Sequence, residues 1–435
     1  MEQNKSSFKY NIQMNLFRFN MQNAIRAGLG VMIVFMFSYL FGSATFINWG
    51  LIFLCFCYFY FAAKKYVCVN DIDKVGYVFV IAFLCWISFE FVRAFLYSDG
   101  YWMWKNVINS LLGMSIFVVV FLAVSPLWLQ GIYKIFYKNY LWLIGLAIIF
   151  TQAHNPNVLS YLPYSTLFLF WKYIPLKKRL LLLAIVMLFF VTQEQRNDVL
   201  KILMAGFIGL IITYYAKIIP HWFIKLAHAL LLLLPIVFVV TGYLGLFNPF
   251  KMDDYIKGDM TREVKNESGE NYEDNLKADT RTFIYTNVSY TMDLYDAWIM
   301  GRSPAYGDEG PIGIASDIDN DTHLRGRYGN EVQIMNILLW YGVIGCVLYF
   351  LMYAWASFLA IYRSRSSIMK GIGIYVAFLW MWSFIWEITK FEVFFMMNIA
   401  FLGVCYSKKY RVMTDKDFKQ WVLGIFYKNK KTFIV

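Results

Sequence analysis

Charged residues are scarce in this sequence. Only 16% of its 435 residues are Asp, Glu, Lys or Arg, and 60% are hydrophobic, whereas soluble domains contain about 25% charged and about 45–50% apolar residues. This shortage of charge excludes a disordered chain and almost any soluble enzyme. The apolar residues fall in long runs, and a helix that crosses a bilayer needs about 20 of them in a row. The composition therefore predicts an all-α, polytopic membrane protein.

Cysteine and histidine are also few. The chain has six cysteines and four histidines, and the histidines show neither an HExxH pattern nor any paired spacing. These features argue against structural disulfides and a zinc site, and we expect no cofactor and no bound metal. Asp317, Asp319 and Asp321 alternate as in a calcium loop, but the Gly and the distal Glu of that motif are missing. A solvated loop is therefore favoured over a calcium site.

The apolar runs and the distribution of Lys and Arg predict twelve membrane crossings. The first 26 residues are basic and the inside connections carry most of the other Lys and Arg, so both termini are expected in the cytoplasm. Orientation thus explains the net charge of +12, and nucleic-acid binding is not implied. The predicted spans are about 27–43, 45–63, 75–97, 106–129, 140–153, 157–173, 180–193, 198–218, 226–246, 330–361, 370–388 and 391–406. A broken or re-entrant segment near Pro156 and Pro163 is the alternative for the short fifth to seventh spans.

One long polar segment interrupts this pattern. Residues 247–329 contain 16 Asp or Glu and nine Lys or Arg, and loops of this length are usually functional or disordered. The chain accordingly divides into an N-terminal bundle of about nine spans (1–246), this loop on the periplasmic side, C-terminal helices (330–406) and a basic cytoplasmic tail (407–435).

The middle of the loop has a helical pattern. Apolar and aromatic residues recur with helical spacing from Thr282 to Met300. This spacing predicts an amphipathic helix that lies on the membrane surface or covers a cavity. The sequence Gly301-Arg302-Ser303-Pro304 follows directly and predicts tight turns.

Several arginines on the predicted outer side are candidates for an anion site. Arginine there runs against the inside bias, and guanidinium binds phosphate or diphosphate through two parallel hydrogen bonds. The candidates are Arg196, Arg281, Arg325 and Arg327. The alternative for each is a solvated arginine or an ordinary salt bridge, which for Arg196 would involve Glu194 or Asp198.

The outer ends of three spans carry further charged candidates. Glu331 lies at the start of the tenth span and is either a proton acceptor or a carboxylate that the helix dipole favours at a helix start. Glu90 and Arg93 form an i,i+3 pair near the end of the third span, either as a structural pair or as part of a cavity wall. Lys201 and Arg302 are further candidates for this wall.

The order of features from 192 to 345 resembles the O-antigen polymerase and O-antigen ligase superfamily of bacterial envelope proteins. Gln195-Arg196 takes the place of a Ser-Arg pair, and Arg281 precedes an aromatic-rich helix and a Pro/Gly turn, as in that family. Gly342-Val-Ile-Gly345 matches the Gly-x-x-Gly at the end of the family's next helix. The His-Asn pair that opens this helix is replaced by Glu331-Val332, which favours the polymerase branch over the ligase.

The resemblance implies a GT-C-like, inverting and metal-independent glycosyltransferase in the bacterial inner membrane. Polyprenyl-diphosphate-linked oligosaccharides would be donor and acceptor, and a chain-length regulator protein is a further candidate partner. The diphosphate would be bound by arginines, and a base would take the proton from the acceptor hydroxyl. These roles fall to Arg196, Arg281, Arg325 and Arg327 for the diphosphate, and to Glu331 or His323 for the base.

Two alternatives stay open at this point. One is ligase-type transfer to a lipid or protein acceptor. The other is a lipid-linked sugar flippase or transporter, because twelve spans with both ends inside fit a transporter equally well. The two halves of the chain show no convincing repeat, and the unusual charges cluster at the predicted outer face. These two observations favour the enzyme.

Overall fold

The structure is a computed structural model. It describes residues 45–66, 69–145, 164–192, 203–211, 218–251, 261–265, 271–275, 279, 281–310, 327–386 and 393–427. The predicted span at 27–43 lies outside these residues, as does the run Asp317, Asp319 and Asp321.

The described part of the chain is mostly helical. The helices are α1 (Thr45–Tyr66), α2 (Lys74–Tyr97), α3 (Tyr101–Met114), α4 (Val119–Ala123), α5 (Pro126–Lys138), α6 (Leu176–Thr192), α7 (His221–Tyr243), α8 (Thr282–Leu294), α9 (Gln333–Tyr362), α10 (Ser367–Trp382), α11 (Val393–Tyr406), α12 (Lys408–Val412) and α13 (Asp415–Phe426). Further helical stretches lie at 140–145 and 203–211. Two short strands, β1 (Thr261–Lys265) and β2 (Asn271–Asn275), form an antiparallel hairpin in the long polar loop.

Several of these helices have the length and composition of membrane spans. Four stretches are long and apolar enough to cross a bilayer: Lys74–Tyr97, Tyr101–Ala123, His221–Tyr243 and Gln333–Tyr362. Three shorter apolar helices are Trp49–Lys64, Ser367–Trp382 and Val393–Tyr406. Large apolar side chains of α7 are exposed, among them Trp222, Leu233 and Val240, as expected where lipid surrounds a helix. These helices agree with a membrane protein, and the total of twelve crossings stays a prediction.

The described part of the predicted sixth span is not an α-helix. In the described part of 157–173 the chain forms a 3₁₀ helix, Ser165–Tyr173. Nine residues of 3₁₀ helix rise about 18 Å, which is less than the roughly 30 Å of the hydrocarbon layer. This segment therefore does not cross a bilayer by itself. α6 follows it and covers most of the predicted seventh span.

Helix α9 lies at the centre of the packing and contacts α2, α10 and α11. Its Tyr349 ring is fully buried, with its centroid 5.8 Å from that of Phe83 in α2 and 6.0 Å from that of Trp380 in α10. The Tyr349 hydroxyl donates to the Tyr353 hydroxyl at 3.2 Å. Aromatic side chains thus fill the space between α2, α9 and α10, and the hydroxyls of Tyr349 and Tyr353 satisfy each other.

One end of this bundle is joined by polar contacts around Asp73, the N-cap residue of α2. Its carboxylate accepts hydrogen bonds from the Gly76 N–H (3.1 Å) and from Trp355 Nε1 (2.9 Å), and it lies 3.5 Å from Arg411 Nη2. These contacts connect the start of α2 to the end of α9 and to α12. This is the end that the distribution of Lys and Arg predicts to be cytoplasmic.

Helix α9 is broken at Gly342, which has φ 66° and ψ −170°. Residues 332–342 are all buried, and exposure resumes at Val343. The 20 residues from 343 to 362 span about 30 Å at 1.5 Å per residue, which matches the hydrocarbon layer. The part of α9 before Gly342 is therefore enclosed by protein, and the part after it has the length of a membrane span.

The segment after α8 closes over this break. The N–H of Val343 donates to the Trp298 carbonyl (2.8 Å), and the Arg302 N–H donates to the Leu339 carbonyl (2.7 Å). Because these bonds use backbone groups that the broken helix leaves unpaired, the break is tolerated at the head of an apolar helix. The Gly-x-x-Gly motif thus marks the point where the long polar loop joins the bundle.

Candidate functional site

Three of the predicted site residues meet at the end of the bundle opposite Asp73. Arg281 Nη1 lies 2.6 Å from Glu331 Oε2, and Arg327 Nη2 lies 3.7 Å from Glu331 Oε1. We call Arg281, Arg327 and Glu331 the outer cluster. The Glu331 side chain is 54% exposed, whereas those of Arg281 and Arg327 are 14% and 30% exposed. Two guanidinium groups therefore converge on one carboxylate that is open to solvent.

Arg281 is held at the start of α8. Asp279 Oδ1 accepts hydrogen bonds from the Arg281 N–H (3.1 Å) and from the next N–H (2.9 Å), which satisfies donors at the helix start. The Arg281 side chain donates through Nε to the Ile385 carbonyl at 3.3 Å. One turn later, the Tyr285 hydroxyl donates to the Phe384 carbonyl. α8 is thus fixed against the chain that follows α10.

The start of α9 is fixed against the same chain. The N–H groups of Gln333 and Ile334 donate to the carbonyls of Trp386 (3.2 Å) and Ser383 (3.0 Å). These N–H groups have no acceptor inside their own helix, because they belong to its first turn. The chain from 383 to 386 therefore supports the starts of both helices beside the outer cluster.

Asn330 stands beside Glu331 and is 2% exposed. The Asn336 side chain accepts from the Asn330 N–H and donates to the Asn330 carbonyl, both at 2.7 Å. The backbone of Asn330 is thus satisfied. Its side-chain Oδ1 and Nδ2 are both buried and have no hydrogen-bond partner among the described residues. Native proteins rarely leave a buried amide unpaired unless a ligand, an ion or water completes it.

Arg327 is positioned by the turn at Gly307 and Asp308. Asp308 and Arg327 exchange two backbone hydrogen bonds, both 3.0 Å long. A side chain at Gly307 would lie 2.7 Å from the Arg327 backbone, so glycine permits this close approach. The Asp308 carboxyl is 2% exposed, and burial raises its pKa to about 6, while its own backbone N–H and Arg327 limit the rise. Asp308 Oδ1 has no hydrogen-bond partner within the described ranges.

Arg302 organises the turn that carries Asp308. Its guanidinium carbon lies 3.6 Å from the centre of the Tyr295 ring and 4.8 Å from that of Tyr306. It also donates to the Gly307 carbonyl (2.9 Å) and pairs with Glu309 (3.0 Å). Arg302 is 8% exposed. Its position was predicted as part of a cavity wall, and the structure places its donors in contacts within the loop.

The pair of Glu90 and Arg93 is present in α2. Arg93 Nη1 lies 2.8 Å from Glu90 Oε2, and Arg93 Nη2 donates to the Gly301 carbonyl. Because Gly301 lies beside the break at Gly342, this arginine links α2 to the loop and the broken helix. Of the two interpretations left open for this pair, these contacts favour the structural one.

Other predicted site residues lie outside the described residues. They are Arg196, Lys201, His323 and Arg325. The residues that the sequence did not single out are Asp308, Asn330 and Asn336. Gln333 and Asn336 are amide residues in an otherwise apolar, fully buried run, and this contrast is the signal that could have pointed to them.

The described residues contain no group of three or more His, Cys, Asp or Glu that could hold a metal ion. The chain matches no protein-family model, no curated protein and no solved structure.

Proposed function

We propose that this protein is an inverting membrane glycosyltransferase that joins polyprenyl-diphosphate-linked oligosaccharide units at the outer face of a bacterial inner membrane. The observation that carries the proposal is the outer cluster, in which two guanidinium groups meet at one solvent-open carboxylate. Guanidinium groups bind phosphate through paired, charge-assisted hydrogen bonds. Arg281 is held by the Ile385 carbonyl and Arg327 by its backbone bonds to Asp308, so the geometry of the pair is preorganised.

In this proposal Glu331 occupies the place that the donor diphosphate takes. When phosphate oxygens bind Arg281 and Arg327, they compete with Glu331 for the same donors. The carboxylate is then released from its partners beside the bound donor. Binding of the donor therefore frees the base, because the same pair of arginines binds either the diphosphate or the Glu331 carboxylate.

The chemical step follows from this arrangement. The acceptor hydroxyl oxygen forms a bond to the anomeric carbon of the donor, and the bond from that carbon to the diphosphate oxygen breaks. Glu331 takes the hydroxyl proton, and both bond electrons leave with the diphosphate. Arg281 and Arg327 stabilise the negative charge that develops on the leaving group. Attack from the face opposite the diphosphate inverts the configuration at the anomeric carbon.

Asn330 offers a place for the acceptor sugar. Its amide has one acceptor and two donors, all buried and unpaired within the described ranges, directly before Glu331 in the chain. A sugar hydroxyl can donate to Oδ1 and accept from Nδ2. Such a pair of contacts would orient the attacking hydroxyl toward the carboxylate.

The cellular setting of the proposal rests on composition and charge. The twelve crossings that the sequence predicts, with both termini in the cytoplasm, would put the outer cluster in the periplasm. We favour the polymerase over ligase-type transfer because Glu331 and Val332 stand where the ligase-like motif has His and Asn. The product would then be a surface polysaccharide built from repeat units.

The test compares two variants of the outer cluster in cells that lack the chromosomal gene. We expect Arg281→Ala to lower polymer formation by about 10²–10³-fold, because it removes a group that stabilises the leaving charge. Glu331→Gln should block transfer and bind the donor at least as tightly, because the competing carboxylate is gone. Gel analysis of surface glycans measures the first effect, and binding of labelled lipid-linked donor to purified protein measures the second.

The control is Arg365→Ala, an exposed arginine at the end of the bundle opposite the outer cluster. It should leave chain length unchanged. Normal-length polymer in both outer-cluster variants would refute the proposal. Long chains retained on the carrier lipid after gene deletion would indicate a ligase, and transport of the lipid-linked unit without polymer growth would indicate a flippase.

A further inference from the structure

A polar cavity lies at the end of the molecule opposite the outer cluster, near the side that is predicted to be cytoplasmic. It has a volume of about 490 Å³. It lies between the 3₁₀ helix Ser165–Tyr173, the start of α6 and the last turns of α13. It is separate from the outer cluster and does not depend on the proposed function.

Arg179 builds the wall of this cavity. Its Nε donates to the Ile174 carbonyl (2.7 Å) and its Nη2 to the Lys172 carbonyl (2.9 Å). These carbonyls lie at the end of the 3₁₀ helix, where intrahelical donors run out. The guanidinium also lies 5.6 Å from the centre of the Trp171 ring. The turn into α6 is therefore rigid, and it brings a fixed positive charge to the cavity.

Helix α13 forms the other wall and is anchored to the bundle. Thr414 and Asp417 form a capping box at its start, which stabilises a helix end. Trp421 donates through Nε1 to the Pro126 carbonyl (2.9 Å), and the Gln130 side chain donates to the Trp421 carbonyl (2.6 Å). The face of α13 that carries Trp421 thus packs on α5, and Lys419 lies on the side of α13 that lines the cavity.

All charged residues that line the cavity are positive. Lys172, Arg179 and Lys419 line it together with Tyr173 and Tyr427, and the described lining contains no acidic residue. Ammonium, guanidinium and phenol groups are donors suited to phosphate oxygens. A phosphate ester is therefore the ligand chemistry that fits this lining.

Exposed apolar side chains adjoin the cationic cavity. Leu176 lines the cavity and is 69% exposed, and Leu180, one turn later in α6, is 60% exposed. A cationic cavity beside an exposed apolar helix surface suits a molecule with a charged head and an acyl chain. Free phosphate would use the cavity only.

We propose that this cavity binds one anionic phospholipid of the cytoplasmic leaflet, with the phosphodiester at Lys172, Arg179 and Lys419 and an acyl chain along the exposed surface of α6 at Leu176 and Leu180. The bound lipid would join α6 to α13 and so fasten the C-terminal helix to the bundle. Basic pockets between membrane helices on the cytoplasmic side are known to take anionic headgroups.

Native mass spectrometry of the purified full-length protein in detergent tests this proposal. The probes are dioleoylphosphatidylglycerol, dioleoylphosphatidylcholine and inorganic phosphate. We expect one phosphatidylglycerol to stay bound under conditions that remove phosphatidylcholine, and inorganic phosphate at millimolar concentration not to displace it. Lys172→Gln and Lys419→Gln should each weaken retention about fivefold, since a cation near the membrane surface contributes about 1 kcal/mol.

Lys416→Gln is the matched control, because Lys416 is exposed on α13 and does not line the cavity. It should leave retention unchanged, and Lys419→Arg should preserve it because the charge is kept. Arg179 is left intact, since its contacts hold the turn. Equal retention of the two lipids, an equal loss in Lys416→Gln, or full displacement by inorganic phosphate would each overturn the proposal.

Discussion

At the scale of single residues, the buried carboxyl of Asp308 makes the stability of the folded protein depend on pH. Burial raises its pKa to about 6 from an ordinary value of 3.8. The folded protein therefore binds the proton of this carboxyl more tightly than the unfolded chain does. The bound proton stabilises the fold fully at a pH below the pKa of the unfolded chain, and this stabilisation is lost as the pH rises through the pKa of the folded protein. The loss falls between about pH 4 and pH 6 and amounts to about 3 kcal/mol.

Asp308→Asn should remove this dependence, because the amide keeps the shape of the carboxyl and does not ionise. We expect the variant to unfold at a higher temperature than the wild type at pH 7 and at a similar temperature at pH 4. Thermal unfolding in detergent micelles at the two pH values measures the difference. The control is Asp296→Asn, at an exposed position in the turn after α8. An equal gain at both pH values would contradict the assignment to Asp308.

The sequence alone identifies some residues of the site, but it does not show which of them are in contact. Arg281 and Glu331 were each selected because of their place at the start of an apolar or amphipathic segment. Their contact joins positions fifty residues apart, and one sequence holds no information on such pairs. Asp308 and Asn330 were missed because an acid and an amide in a polar loop look ordinary until burial is known.

At the scale of elements, the break in α9 controls how the outer loop is attached. Gly342 has φ 66° and ψ −170°, a conformation that is essentially restricted to glycine. An added Cβ would lie 2.2 Å from the Ile299 carbonyl oxygen. Both the backbone conformation and the close approach therefore require glycine at this position.

Gly342→Ala should destabilise the protein by at least about 3 kcal/mol, since strain of this kind alone is of order 1–3 kcal/mol. The unfolding temperature in detergent measures the loss. Gly50→Ala in α1 is the matched control, because no atom lies within 4 Å of its added Cβ, and alanine in a helix is favoured over glycine by about 0.5–1 kcal/mol. If Gly342→Ala were as stable as Gly50→Ala, the contact between the loop and the broken helix would be unimportant.

The sequence predicts the positions of most of the long helices, but it does not predict where a helix breaks or changes type. Long apolar runs gave the places of α2, α7 and α9, because burial in lipid requires such runs. The Gly-x-x-Gly motif was noted, yet the break at Gly342 depends on the approach of residues 298–302, which no local pattern encodes. The 3₁₀ helix Ser165–Tyr173 was expected as part of a span, since apolar composition alone does not distinguish the two.

At the scale of the whole molecule, polar contacts gather at two opposite ends. Asp73, Trp355 and Arg411 meet at one end, and Arg281, Arg327 and Glu331 meet at the other. The predicted orientation places the first group in the cytoplasm. Exposed apolar side chains, such as those of α7, lie on the helices between.

Cysteine labelling tests this orientation. In a variant without native cysteines, Lys251→Cys should react with a membrane-impermeant maleimide in intact spheroplasts. Lys416→Cys should react only after permeabilisation, because it follows the last predicted span. Both positions are outside the predicted spans, so both are accessible once the membrane is open. Labelling of the two positions from the same side would contradict the proposed topology.

The supporting chain at 383–386 also sets the order in which the outer site can form during synthesis. Arg327 and Glu331 leave the ribosome more than fifty residues before the carbonyls of Phe384, Ile385 and Trp386, which fix α8 and the start of α9, and Arg281 leaves it about a hundred residues before them. The site therefore becomes complete only when α10 has been made and inserted. A nascent chain that stops after α9 carries every member of the outer cluster and lacks the carbonyls that hold it in place.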